Sequence, residues 1–349
     1  MRALVAMSGG VDSSVAAAMM RQAGHEVVGV TLKLWSGPGG EAPTAGCCTL
    51  SDAEDARRVA AQLDIPYYVL DYTEEFRDGV VDRFVQDYVS GRTPNPCIEC
   101  NRTVKFDRLL DGLADFDCDV LVTGHHARNR LEDGMWALRR GEDRAKDQSY
   151  VLSMLTQPEL ARTRFPVGDL TKTSVRASAA EMGLRTAAKP ESMDICFVGQ
   201  RDYRAFLRDT APEVFAPGPV VASDGAEIGR HDGVIGFTVG QRRGLGVALG
   251  EPRFVVRIDA GTSTVVLGRR DELAIAGVRL RDVTWTAGTP VTGRVMAQYR
   301  AHGEPVAATL HDDRLLFAEP QEAVAPGQTV AFYDGERVLG GALIADTFQ

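Results

Sequence analysis

No long apolar run occurs early in this chain of 349 residues: the first, Leu4-Val5-Ala6-Met7, is broken at once by Ser8-Gly9-Gly10. A membrane span needs about 20 apolar residues in succession, and a secretory leader needs an uninterrupted apolar centre, so neither is expected. The expectation is a cytoplasmic protein with no membrane partner. Basic charge is scarce: 39 Lys and Arg stand against 48 Asp and Glu, for a net charge of −9, and no region of the chain is basic. A nucleic-acid partner would have to be met by local patches. Cysteine is sparse as well. Six in a chain of this length and compartment point to reactive or metal-binding roles more than to disulfides. Repeats and low-complexity tracts are absent. So are the Gly-Lys-Ser/Thr of a Walker A loop and a second Cys-x-x-C that would complete a zinc ribbon.

What stands in their place is Ser8-Gly9-Gly10-Val11-Asp12-Ser13-Ser14, between an apolar strand and a helix-prone segment. Strand, glycine turn and helix make an anion site: the glycines let backbone approach a ligand, the serines add hydroxyls, and the helix start presents unpaired N–H groups. An ordinary βα turn is the plainer alternative.

The first half alternates in the α/β manner, and the fold class expected is a doubly wound parallel sheet followed by two small β-rich domains. Strands are expected at Arg2–Met7, Val27–Leu34, Tyr67–Asp71 and Val120–Thr123. Helices are expected at Ser13–Ala23, from a capping box at Ser51-Asp52-Ala53-Glu54 to about Leu63, and at Glu74–Val89, Pro96–Leu113 and Ser174–Met182. Residues 36–43 read as a mobile loop and Asp133-Gly134 as a hairpin turn. Beyond about residue 200 helical periodicity gives way to short β pieces between Gly, Asp and Pro turns, among them Val220-Val221, Gly233–Val239, Phe254–Asp259, Val265–Leu267, Gly293–Tyr299, Val306–Leu310 and Thr329–Tyr333. The division expected is 1–205, 206–274 and 275–349.

Asn95 suits an N-cap and Pro96 the first helical position, which would set Cys97 and Cys100 on the first turn of a helix with Arg102 and Lys105 close by. That setting raises the thiolate fraction of a cysteine; two buried small hydrophobes are the alternative reading. Cys196, in the apolar run Ile195-Cys196-Phe197-Val198, reads by itself as a core cysteine. Cys47-Cys48 is a poor chelate and Cys118 a core residue. His125 and His126 end a strand beside the anion loop, where either contact with phosphate or plain packing is open. Gly240–Gly246, with Arg242 and Arg243, is either an RNA-backbone contact or a solvated loop. Lys146–Tyr150 offers polar and aromatic contacts.

Together, AMSGGVDSS at 6–14, GRTPNPCIECN at 91–101, TGHHA at 123–127, KDQSYVL at 146–152, SMDICFVG at 192–199 and FTVGQRRGLG at 237–246 resemble one family along nearly the whole chain: the bacterial tRNA-specific 2-thiouridylases. The loop itself resembles the PP-loop of the N-type ATP pyrophosphatases. The resemblance implies ATP-dependent 2-thiolation of the wobble uridine of tRNA. ATP would be held by Ala6, Met7, Ser8, Gly9, Gly10, Val11, Asp12 and Ser13, with Leu32 and Gly124, and Asp12 would reach Mg²⁺ through water. Cys100 would be the nucleophile and Cys196 the persulfide carrier, loaded by a sulfur-donor persulfide or relay protein. Contacts with the anticodon loop of tRNA would come from His125, Lys146, Asp147 and Gln148, and from Tyr299, Arg300 and Gln328 in the last domain.

Leu32 stands where Met is frequent in the family, a change that nearly conserves volume. Cys97 stands where many members have Asp. It adds a third thiol, and Cys97, Cys100 and Cys196 together have the composition of an open [4Fe–4S] site. The persulfide route needs only Cys100 and Cys196 and is the one expected. Two other functions account for part of the pattern. A PP-loop ligase or synthetase acting on a small acid or amide explains the loop but leaves the cysteines idle. A non-catalytic cysteine metal or redox module explains the cysteines but not the loop.

Overall fold

The computed structural model describes residues 1–36, 49–190, 195–198, 202–212, 215–247 and 250–349. Cys47, Cys48 and, apart from Ser36, the loop expected at residues 36–43 lie outside them.

The first layer is a parallel sheet. Strand β1 (Arg2–Ala6), helix α1 (Val11–Gln22), strand β2 (Glu26–Lys33), helix α2 (Leu50–Gln62) and strand β3 (Tyr67–Asp71) follow in order, then β4 (Val120–Val122) and, later, β7 (Thr163–Arg164). Their order across the sheet is β3-β2-β1-β4-β7, all parallel. Successive strands move outward from β1 on one side and then jump to its other side at β4. Such a reversal opens a crevice at the carboxyl ends of the two central strands. β1 and β4 are buried on both faces because helices cover both sides, so they read as continuous apolar runs and not as alternations.

Helix α2 starts earlier than its sequence signals. The capping box is Thr49 with Asp52: Thr49 Oγ1 accepts the Asp52 N–H at 3.1 Å, and the Asp52 carboxylate accepts the Thr49 N–H at 3.0 Å. Ser51 is simply a residue of the first turn.

The two long helices expected at 74–89 and 96–113 are composite. In the first, Arg77–Val81 is π-wound between the α-turn Thr73–Phe76 and the helix Asp82–Val89. In the second, Pro96–Cys100 is α, Asn101–Phe106 is π, Asp107–Asp111 is α again, and Gly112–Phe116 tightens to 3₁₀. The two π segments face each other, Thr103 Oγ1 lying against Gly79.

A hairpin, β5 (Ala127–Glu132) and β6 (Met135–Arg140), turns at Asp133-Gly134, both with positive φ (50° and 79°) as a type I′ turn requires. It leaves the first domain and extends the last one. Beyond residue 200, strands β8 (Gly218–Ala222), β9 (Glu227–His231), β10 (Phe254–Asp259) and β11 (Thr264–Gly268) form a sheet of order β10-β11-β8-β9. Gly233–Val239 is not a strand: Val234–Gly236 makes a 3₁₀ turn that buries Val234 and Ile235, with Phe237 after it, in the core. The third unit consists of β12 (Ala274–Thr284), β13 (Gly293–Gln298), β14 (Val306–His311), β15 (Arg314–Glu322), β16 (Thr329–Asp334) and β17 (Arg337–Phe348). β12 pairs with both β15 and β17, which closes a barrel, and β17 also pairs with β6 at Arg337 and Arg139. Among the described residues no helix is long and apolar enough to cross a membrane.

Candidate functional site: a nucleotide cavity beside a cysteine helix

The crevice at the β1/β4 reversal is a cavity of about 210 Å³. Its wall includes Ala6, Met7, Ser8, Asp12 and Ser13 from the β1–α1 turn, Leu32 from β2, and Gly124 and His125 from the end of β4. Seven of the sequence-named nucleotide residues therefore converge: Ala6, Met7, Ser8, Asp12, Ser13, Leu32 and Gly124. Gly10 and Val11 line an adjoining cavity of about 260 Å³, which shares Ser8, Asp12 and Gln148 with the first. Val30, Leu32 and Leu34 make one end apolar; serines, lysines and Asp12 make the other polar.

The loop is shaped from within. Ser13 and Ser14 hydroxyls donate to Gly10 O at 3.2 and 2.8 Å, and the Ser8 N–H donates to Ser13 Oγ at 3.2 Å. Gly9 has φ +72°, and a Cβ there would sit 2.2 Å from Asp52 O, so glycine is required by the close approach of α2. The backbone of Gly124 backs onto Asp12 and Ser13, fastening the ends of β4 and β1 together.

Asp12 is the electrostatic centre. Lys172 Nζ donates to both carboxylate oxygens at 2.8 and 2.7 Å, and His126 Nε2 lies 3.1 Å from Oδ1. Burial alone would push the Asp12 carboxyl up, but the hydrogen bonds and charges of His126 and Lys172 outweigh it and hold it below the usual range. A second pair of contacts lies beside it: Lys189 Nζ donates to Asp52 Oδ1 and Asp55 Oδ2, each at 2.7 Å. Lys146, Lys172 and Lys189 all line the adjoining cavity. Three lysines gathered at one cavity were not expected from an acidic chain; the clustering is local, as at a phosphate site.

The two histidines have different surroundings. His126, not His125, touches Asp12. His125 Nδ1 is 2.7 Å from Thr123 Oγ1, and its ring meets Phe106 and Phe165 at 5.9 and 6.0 Å. Burial, with help from the charges of Lys105 and His126, pushes His125 down to about 3, so it lines the cavity as a neutral ring.

Asn95 caps the cysteine helix, accepting the Cys97 N–H at 3.2 Å, with Pro96 next to it. The first turn exposes Cys97 and buries Cys100. Cys196 is half-buried and packs against the same apolar cluster that contains Cys100, anchored by Phe197, whose ring lies 5.2 Å from Phe84 and from Phe206. The [4Fe–4S] expectation is not supported. Cys97 and Cys100 sit in opposite surroundings on their turn, and among the described residues no group of three His, Cys, Asp or Glu side chains is placed to hold a metal.

The last barrel grips the loop before this helix. The Thr93 N–H donates to Pro326 O at 2.8 Å, and a Cβ on Gly327 would come within 2.7 Å of Arg92 Cβ. Tyr150 Oη donates to Thr329 O at 2.9 Å and stands beside Asn95. Gln328 thus lies next to the loop leading to Cys100. Tyr299 and Arg300 lie elsewhere on the barrel, where Arg300 stacks on the Tyr299 ring at 4.9 Å. In the KDQSYVL stretch, Gln148 and Lys146 face the cavities. The Asp147 carboxylate faces inward, accepting from Arg140 Nε at 2.7 Å and from the Gly141 and Ser149 N–H groups.

An anion loop of this type, at the switch point of this sheet, defines the PP-loop class of α/β nucleotide-binding proteins. Family models match three successive parts of the chain: a tRNA methyl transferase HUP domain at residues 1–200, a tRNA methyl transferase PRC-barrel domain at 204–269 and an aminomethyltransferase beta-barrel domain at 275–344. The tRNA-specific 2-thiouridylase MnmA of Roseiflexus castenholzii is 45% identical over 98% of both chains. That of Chloroflexus aurantiacus is 48% identical, again over 98% of both. The chain belongs to the tRNA-specific 2-thiouridylase family. A solved 4-thiouridine synthetase–RNA complex with bound ATP overlaps 61% of this chain and 50% of its own, at 18% identity and a TM-score of 0.39.

Proposed function

We infer that the protein is a cytoplasmic tRNA-uridine 2-sulfurtransferase that uses ATP to activate the wobble uridine and replaces its C2 oxygen with sulfur. The observation that carries this reading is the convergence of the SGGVDS loop on a cavity beside the helix of Cys100, in a chain whose relatives are named for this reaction.

The chemistry divides in two. The base's C2 oxygen attacks the α-phosphorus of ATP, and the bond to the β-phosphate oxygen breaks, releasing pyrophosphate. The Ser8–Ser13 loop and the lysines around Asp12 supply donors for the phosphates. Mg²⁺ fits this site only as a companion of the nucleotide, because Lys172 and His126 already occupy the Asp12 carboxylate; Asp12 would meet it through water. Sulfur then adds at C2 from a persulfide on Cys196, loaded by a donor or relay protein, and AMP leaves. Cys100 attacks the inner sulfur of the Cys196 persulfide, the S–S bond breaks toward the base, and a Cys100–Cys196 disulfide remains for a thiol reductant to open. The anticodon loop is single-stranded, so its base can be turned into the cavity. Gln148, Lys146 and His125 stand at the cavity to receive it, while Tyr299, Arg300 and Gln328 extend the surface onto the barrel. Asp147 holds this segment in place from inside.

The test is mass spectrometry of tRNA nucleosides after incubation with ATP, a cysteine desulfurase and cysteine. A thiouridine that requires ATP and is lost in both Cys100→Ser and Cys196→Ser is expected. ATP turnover indifferent to tRNA would overturn the reading, and so would a Cys196→Ser enzyme that still thiolates from the protein donor.

A further inference from the structure

Lys105 is not among the residues that the loop motif points to, yet it lines the nucleotide cavity together with Ser8, Asp12, Ser13 and Gly124. It stands on the same helical run as Cys100, five residues on. In an α-helix, side chains five apart diverge by about 140° around the axis, so a cysteine and a lysine at this spacing would face different surroundings. Here the intervening segment is π-wound, with the Asp107 N–H bonded to Arg102 O, five residues back. A π turn sets residues five apart nearly over one another, and such turns concentrate at functional sites. The winding therefore carries Lys105 round toward the side that Cys100 occupies.

Two further observations set this segment beside His125. Phe106, the next residue, packs its ring 5.9 Å from His125 at the cavity wall. The positive charge of Lys105 is also felt at that imidazole. Cations thus stand at both adjoining cavities: Lys172, bound to Asp12, lines the second, and Lys105, on the helical run of Cys100, lines the first.

We propose that Lys105 is a catalytic cation of the sulfur-transfer half-reaction, pairing with the phosphate of the adenylated uridine as AMP departs, in fixed register with Cys100 on the same π-wound helix. This rests on the sulfurtransferase reading above. When sulfur has added at C2, the bond from C2 to the bridging oxygen breaks and its electron pair stays on the phosphate. AMP leaves with one more negative charge than the ester carried, and the ammonium meets that charge without giving up a proton. Stabilisation aimed at charge that develops only in the transition state accelerates the step most.

The experiment uses the full-length enzyme, substrate tRNA and ATP labelled at the α-phosphate, with inorganic sulfide as the sulfur source in one arm and a cysteine desulfurase with cysteine in the other. Lys105→Gln should still transfer label to tRNA, accumulate it, and thiolate about 100-fold more slowly in both arms. Cys100→Ser should be slow in the desulfurase arm, where the persulfide relay is needed. Lys105→Arg, which keeps the charge, should recover most of the rate and carries the test if the Gln variant does not fold. Thiolation by Lys105→Gln within twofold of wild type would overturn the proposal. So would loss of label transfer in step with loss of thiolation, which would place the lysine in adenylation. Failure of the wild-type enzyme to label or thiolate tRNA would instead overturn the underlying reading.

Discussion

Asp12 is held by two partners that come from far along the chain, Lys172 and His126. Replacing it with Asn keeps the shape and removes the counter-charge, leaving a lysine and a histidine facing each other at the phosphate end. AMP formation in the presence of tRNA should fall by a factor of about 100 or more, with thermal unfolding little changed. Ser13→Ala should follow in the same assay, because Ser13 Oγ both shapes the loop and faces the cavity. His125 supports a pH prediction. Its folded value, about 3, is below the ordinary 6.5, so the unfolded chain takes up the proton first as pH falls. Its contribution to stability is complete above about pH 6.5 and is lost progressively toward pH 3. A His125→Phe variant should therefore show a shallower acid loss of stability, measured as urea midpoints between pH 4 and 7. At this scale the contiguous residues were legible: Ser8 to Ser13 announce a loop because a turn needs small and oxygen-bearing residues next to one another. Lys172 and Lys189 were not, since they reach the site from 160 and 137 positions away and no local rule links them to it.

Among the elements, the cysteine helix and the barrel turn that grips its leading loop are coupled. A side chain on Gly327 would force φ +89° on a non-glycine residue and drive a Cβ to within 2.7 Å of Arg92 Cβ and 2.9 Å of Thr93 N. Gly327→Val should cost about 1–3 kcal/mol and lower thiolation at least fivefold. ATP affinity, measured by calorimetry, should stay within twofold, because the β1–α1 loop does not touch this turn. Equal loss of both would show that the turn supports the whole domain and not the helix. The sequence foretold the helix, its Asn95 cap and its Pro96 start, because capping is written in neighbouring residues. It did not foretell the π turns. They come from packing between the two helical runs, where Thr103 meets Gly79, and apolar periodicity carries no mark of them. The sequence patterns do not mark the strands at Glu227–His231, Ala274–Thr284, Arg314–Glu322 and Arg337–Phe348, and they suggest one at Gly233–Val239 that does not form. β12 is held by partners on both sides in the closed barrel, whereas Val234, Ile235 and Phe237 bury their side chains from a 3₁₀ turn with no strand pairing.

For the molecule as a whole, net charge is −9, yet the proposed partner is a polyanion. Binding must then come from dispersed local contacts, such as Lys146 at the cavity and Arg300 on the barrel. Affinity for tRNA should fall steeply with salt, and Arg300→Gln should weaken binding and reduce the salt slope by about one. Gel shifts from low to moderate salt would check this; a variant with an unchanged slope would remove Arg300 from the surface. The change of texture near residue 200 and the α/β character before it were readable, because composition reports class. The hairpin Ala127–Arg140 was readable as a hairpin but not as part of the last barrel, since pairing between Arg139 and Arg337 is set by the closed fold.

That pairing also bears on how the protein is made. The first domain's hairpin finds its neighbouring strand only after about 200 more residues have been synthesised, which at about 5–20 residues per second leaves it open for roughly 10–40 s on the ribosome. During that interval β6 presents an uncovered edge on a nascent chain, the kind of edge that recruits other strands. A premature stop between residues 191 and 336 would make the delay permanent. Such fragments should be found in the insoluble fraction even though they carry every residue of the nucleotide cavity.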